Sequence, residues 1–214
     1  LIIGDSESSK FVVAQESGVI FSDNVTSRAV GADLAGEDLV VLDQGQDSKG
    51  EIRYYDLMQK ELKFTLKFQD SGYPILARLV PGERALDILI LNTDRVDPVT
   101  LIQRYGLDGK LRGEVQLTGY YGSFIHSSDS VIAYSDTNIA AVNMETGEIT
   151  GFDAPAGFSH IVADRSGTIL LGDVPGGDES WHMRFSGSEN TAAASIPLLT
   201  AAPAAADGWL LVPA

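Results

Sequence analysis

The chain has no cysteine, only three histidines, and half as many basic residues (15) as acidic ones (30). Without cysteine there can be no disulfide, no thiolate catalysis and no Cys-based zinc site. The formal net charge of −15 argues against nucleic acid, whose phosphates reward Lys and Arg, and against anionic membrane surfaces. It leaves cations, cationic ligands and basic protein patches open, and it also serves simple solubility. No apolar run approaches the roughly 20 residues that span a bilayer, so no membrane insertion is expected of this segment. Neither a Met nor a basic-then-apolar leader opens the chain at Leu1, which reads as a mature chain or an excised domain. Helical periodicity is missing too; the stretch 29–35 is the least strand-like, and it is short.

What remains is a globular composition, 44% hydrophobic and 21% charged, with 22 glycines and eight prolines among 214 residues. A chain of this size buries about 70% of its unfolded surface without staples, and a single domain over 1–214 is expected. Short runs of Val, Ile, Leu and Tyr alternate with Gly, Asp, Asn and Ser, which is strand periodicity. Five runs resemble copies of one strand: 39–42, 88–91, 131–134, 169–171 and 209–212, with a further copy at 1–3. Internal copies are followed by a second strand, a tight turn and a third strand: 52–56 then 62–68, 100–105 then 111–117, 139–143 then 148–152, and 181–185 then 193–198. At the start, 11–15 and 19–22 repeat the pair. Gly18, Gly109 and Gly147 stand where hairpins need positive φ, while the second copy turns through Met58-Gln59-Lys60. A fourth strand precedes the copies at 28–34, 75–80, 123–126 and 160–164. Four strands per 40-odd residues is the spacing of propeller blades, each of which must be covered on both faces by neighbours.

The segments Arg104-Tyr105-Gly106-Leu107-Asp108-Gly109-Lys110 and Ala141-Val142-Asn143-Met144-Glu145-Thr146-Gly147-Glu148 resemble the strand–turn–strand signature of bacterial β-propeller repeats. The nearest groups are the YVTN-type, quinoprotein-type and WD-repeat-like propellers. The Gly-His and Trp-Asp marks of true WD repeats, the Asp-box and the tryptophan docking pattern of quinoprotein blades are missing. The expected fold is all-β, a propeller of about five four-stranded blades. The alternative is part of a six- to eight-bladed ring. Closure within the chain would pair 209–212 with 1–3, although by spacing Trp209 matches the second strand of a blade. The stretch 199–206 reads as a flexible connection.

Catalytic constellations are weak. Gly157-Phe158-Ser159-His160-Ile161 fails the nucleophile-elbow pattern at its last position and opens a strand. His126 and His160 occupy similar positions in adjacent repeats and could approach each other to hold a metal, but ordinary hydrogen-bonded histidines are the favoured reading. No Gly-rich phosphate loop opens a helix, and no cofactor is expected. The chain has acids enough for a glycoside hydrolase or lyase using funnel carboxylates, and that is the alternative function.

One pattern has geometrical meaning. A carboxylate or amide follows the copied strand by one or two places at Asp5, Asp43, Asn92, Asp136 and Asp173. Connections between repeats add Asp70, Tyr73, Tyr120, Tyr121 and Phe158. In a propeller these loops share a face, so Asp43, Asp94, Asp136, Asp173, Tyr73, Tyr120 and Tyr121 are the candidate binding residues. Asp and Asn also end strands merely because they accept turn hydrogen bonds. The loop 92–97 is the richest in oxygen, though calcium would need roughly six to eight oxygens. The function expected is a non-enzymatic binding or scaffold propeller presenting this acidic, aromatic-bearing face to a protein or carbohydrate. It would act as a monomer within a longer exported or membrane-anchored protein.

Overall fold

The computed structural model describes residues 2–4, 9–70, 72–94, 96–127, 130–164, 167–173, 179–185, 190–197, 204–206 and 209–211; at 2–4, at 160 and from 163 onward it describes backbone alone. Among the described residues every regular element is a strand. The chain divides into two compact units, Leu1–Tyr120 and Tyr121–Ala214.

In the first unit, β1 (Ile2–Gly4), β2 (Lys10–Gln15) and β3 (Gly18–Asn24) form a three-stranded sheet. Two four-stranded sheets follow. One comprises β4 (Ala29–Ala35), β5 (Asp38–Asp43), β6 (Gly50–Asp56) and β7 (Glu61–Phe68), the other β8 (Tyr73–Leu79), β9 (Ala85–Asn92), β10 (Val99–Gly106) and β11 (Leu111–Thr118). All pairings are antiparallel between sequence neighbours, so each sheet is a meander.

The packing follows from strand alternation. In β5 the side chains of Leu39 and Val41 join Phe11, Val13 and Tyr55 in one core, against the three-stranded sheet. Val40 and Leu42 point the other way and join Ile52, Tyr54, Leu86, Ile88 and Ile90. The β4–β7 sheet is therefore covered on both faces, which is why β5 reads as a continuous apolar run rather than an alternating one. Phe11, Phe21 and Tyr55 add ring contacts at centroid distances of 5.4–6.0 Å.

The second unit repeats the plan with β12 (Ser123–His126), β13 (Val131–Tyr134), β14 (Asn138–Val142) and β15 (Ile149–Asp153). Next come β16 (Phe158–Asp164), β17 (Gly167–Asp173), β18 (Glu179–Phe185) and β19 (Asn190–Pro197), then a hairpin of β20 (Ala204–Ala206) and β21 (Trp209–Leu211). Ile132, Ile139 and Ile161 form the core between its two four-stranded sheets.

Each expected strand coincides with an observed one, and the three copies 39–42, 88–91 and 131–134 are buried apart from Leu91 and Tyr134 at their ends. The copy at 169–171 lies in β17, its side chains outside the described residues. Gly18, Gly109 and Gly147 have positive φ, and in the Met58-Gln59-Lys60 turn Lys60 itself takes φ +55°. One expectation is corrected: Ala204–Ala206, expected within a flexible connection, is a strand, and β21 ladders with it (Ala204 opposite Leu211).

A regularity absent from the sequence appears in the ladders. The last hairpin of four sheets is bulged, at Val13/Ala14 in β2–β3, Tyr54/Tyr55 in β6–β7, Arg104/Tyr105 in β10–β11 and His182/Met183 in β18–β19. First-with-second pairing is bulged at Ala29/Gly31, Pro74/Leu76 and Phe158/His160. The β12–β15 sheet runs without either irregularity.

Candidate functional site

The ladders of the first unit decide which loops lie together. In the β8–β11 sheet, Tyr73 sits opposite Leu91, and Asn92 and Thr118 both sit opposite Val99. In the β4–β7 sheet, Asp43 sits opposite Ala29 and Glu51, and Gly50 opposite Phe68. The loops 25–28, 44–49, 69–72, 93–98 and 119–120 therefore leave corresponding ends of the two sheets. Gly50 lets those ends approach: a Cβ at that position would lie 2.6 Å from Pro74 Cγ.

The approach brings Lys49 to the next sheet. Its ammonium pairs with Asp94 Oδ2 at 2.6 Å and lies 5.2 Å from the centroid of the Tyr73 ring. Lys49 is held above the ordinary lysine range chiefly by its hydrogen bond to Asp94, with Tyr73 and Asp70 adding to the attraction against a burial penalty. Its backbone N–H donates to Phe68 O at 2.8 Å, so the stem is anchored and the ammonium hangs free of the ladder. Asp47, Asp70, Asp94 and Asp97 are exposed on these loops, as are Tyr73, Tyr120 and Val96. Tyr120 is tied in through its neighbour Gly119, whose N–H donates to Pro98 O at 3.0 Å.

Of the seven residues expected to share a face, Asp94 and Tyr73 meet around Lys49, and Tyr120 borders the same loop. Asp43 differs from the expectation of an open acid. Its carboxylate is fully buried and accepts backbone N–H groups from Thr26 (2.5 Å), Arg28 (3.0 Å), Ser27 and Gly45 (both 3.2 Å). It fixes the loop 25–28 onto the end of β5. In the second unit Asp136 is exposed on the turn between β13 and β14, where Ser135 Oγ accepts from the N–H of Asn138 at 3.1 Å. Tyr121 is buried, which pushes its phenol up. Asp173 ends β17 opposite Ser180, its side chain outside the described residues.

Two charged groups inside the first unit carry no signal in the sequence. Glu51, on β6 beside Asp43, is buried and accepts from Thr26 Oγ1 and Lys67 Nζ (both 3.0 Å) and from Arg53 Nη2 (3.1 Å). Burial pushes this carboxyl up, but those donors outweigh it and hold the group below its ordinary value. Asp87 on β9, fully buried, takes a two-pronged contact from Arg104 on β10, both bonds 2.8 Å. Such forks are strong where water is excluded.

Among the described residues no three His, Asp or Glu side chains gather as a metal site. The His126 ring stands edge-on to Phe124 at 5.4 Å, and the His160 side chain lies outside the described residues. The oxygen-rich loop 92–97 is partly self-satisfied, with Asn92 Oδ1 accepting the N–H of Asp94 at 3.1 Å.

No protein-family model and no curated protein matches the chain in sequence. Solved structures do match. Hydrazine synthase of Kuenenia stuttgartiensis superposes with a TM-score of 0.61 at 12% identity, over 89% of this chain and 60% of that one. BBS1N, solved in complex with ARL6DN, superposes with a TM-score of 0.58 at 12% identity, over 81% of this chain and 56% of that one. Both are of the β-propeller type. The fold is propeller-like. At such low identity the likeness extends to the fold and no further, and the chain spans about three-fifths of the length of either.

In propeller terms β4 and β8 are first strands of successive blades, lying side by side in the first unit. Asp33 of β4 accepts the N–H of Leu79 on β8 at 2.8 Å and pairs with Arg78 at 3.5 Å. This acid links the β4–β7 sheet to the β8–β11 sheet.

Proposed function

We propose that the chain is a non-enzymatic binding module of propeller type whose recognition surface is the loop end of the first unit, and that its partner is a basic protein segment carrying apolar side chains. The observation that carries this is the interleaving, on loops 44–49, 69–72, 93–98 and 119–120, of exposed Asp47, Asp70, Asp94 and Asp97 with exposed Tyr73, Val96 and Tyr120. Aromatic anchors ringed by complementary charge are what a protein interface uses for affinity and steering. An extracytoplasmic setting within a longer protein belongs to the same proposal, and fractionation of cells expressing the tagged full-length protein tests it.

The recognition claim is tested by calorimetric titration with a Lys- and Leu-containing nonapeptide, its Glu-for-Lys counterpart and a neutral oligosaccharide. The basic peptide should bind, and replacing Asp47, Asp70, Asp94 and Asp97 together with Asn should weaken it roughly tenfold or more. Equal binding by the quadruple variant, or preference for the oligosaccharide, would overturn the reading.

A further inference from the structure

The loop end already holds one ammonium group, that of Lys49, in a seat whose other parts stay open. The Lys49 side chain is 21% exposed, whereas that of Asp94 is 62% exposed and Tyr73 is 46% exposed. Seat and occupant belong to different sheets: Lys49 enters β6, while Asp94 follows β9 and Tyr73 opens β8. A pair between one ammonium and one solvent-facing carboxylate gains little over hydration of the two ions. A second cation of the same chemistry can therefore replace the first at small cost, since carboxylate and ring face stay in place and the four-carbon stem of Lys49 swings into water. The ring adds attraction for a cation whichever chain supplies it.

Resting on the binding surface proposed above, we infer that Asp94 and Tyr73 form a cation seat occupied by Lys49 in the free protein, and that a Lys or Arg side chain of the partner displaces it. Lys49 then acts as an internal competitor. It weakens attachment of any single cation and favours a partner that also engages Val96 and Tyr120.

Titration of the same basic nonapeptide into single-site variants tests the exchange. Lys49→Met should raise affinity roughly two- to fivefold, the range open to release of a solvent-facing ion pair. Lys63→Met removes one positive charge from the opposite end of β7 and should leave affinity within about 1.5-fold, which separates release of the seat from a change in net charge. The gain should persist in Lys49→Met with Tyr73→Phe, which keeps the ring, and vanish with Tyr73→Leu or Asp94→Asn. Thermal melting of each variant checks that the fold is intact. An unchanged or lower affinity in Lys49→Met, or an equal rise in Lys63→Met, overturns the exchange. If the quadruple Asn variant still loses binding in that case, the recognition surface stands without it. Absence of peptide binding in wild type and Lys49→Met alike defeats both.

Discussion

Asp43 and Glu51 are neighbours across a ladder, and both are acids that carry out structural work. Asp43 gathers four backbone N–H groups; Glu51 gathers Thr26, Arg53 and Lys67. Removing a buried acid of this kind strands its donors, which is the costly half of the exchange. Because Glu51 is held below its ordinary value of 4.5, the folded state binds its proton less readily than the unfolded chain does. Its contribution is therefore complete above that value and is lost as pH falls through the lower, folded one. Chemical denaturation at a series of pH values below 4.5 should show a falling unfolding free energy, with a shallower fall in Glu51→Gln. Parallel profiles for the two proteins would show that Glu51 is not a source of acid lability. Neither role was visible in the sequence. An Asp closing a strand reads alike whether it turns to solvent or reaches back to residues 15–17 positions upstream, and Glu51 looks like an ordinary polar residue in an alternating strand.

At the scale of elements the sequence was far more legible. Strands covered on both faces must be apolar at successive positions, and the hairpin turns must supply left-handed residues, so β5, β9 and β13 and their turns announce themselves. Half of the hairpin β20–β21 is silent in the sequence, because the alanines of Ala204–Ala206 have weak strand propensity. Lys60 is the informative departure among the turns. It holds φ +55°, where a side chain costs roughly 1–2 kcal/mol. Lys60→Gly should accordingly raise stability by up to about 1 kcal/mol once the extra freedom of glycine in the unfolded chain is subtracted. Lys60→Val should lower it, since branching at Cβ is poorly tolerated there. Urea denaturation of the three proteins gives the order, and a Val variant as stable as the Gly variant would show that the turn has rearranged. The contact between Lys49 and Asp94 joins residues 45 apart, and no local pattern encodes it.

For the molecule as a whole, a net charge of −15 makes self-repulsion a destabilising term that salt can relieve. Raising ionic strength from about 0.01 M to about 0.15 M shortens the screening length from about 30 Å to about 8 Å. The melting temperature should rise over that interval; a fall would mean that the ion pairs, Lys49–Asp94 and Lys67–Glu51 among them, outweigh the repulsion. The same charge discourages chains from meeting, and the ladders add a second deterrent. A bulge beside the outer hairpin sharpens the twist of an edge strand, so that a foreign strand cannot lie flat along it. The β12–β15 sheet lacks that irregularity, and its outer strand reads Ile-Thr-Gly-Phe-Asp, with neither lysine nor proline. Without that added twist and without gatekeeping residues, Ile149–Asp153 is an outer strand poorly defended against aggregation once the protein is concentrated or partly opened.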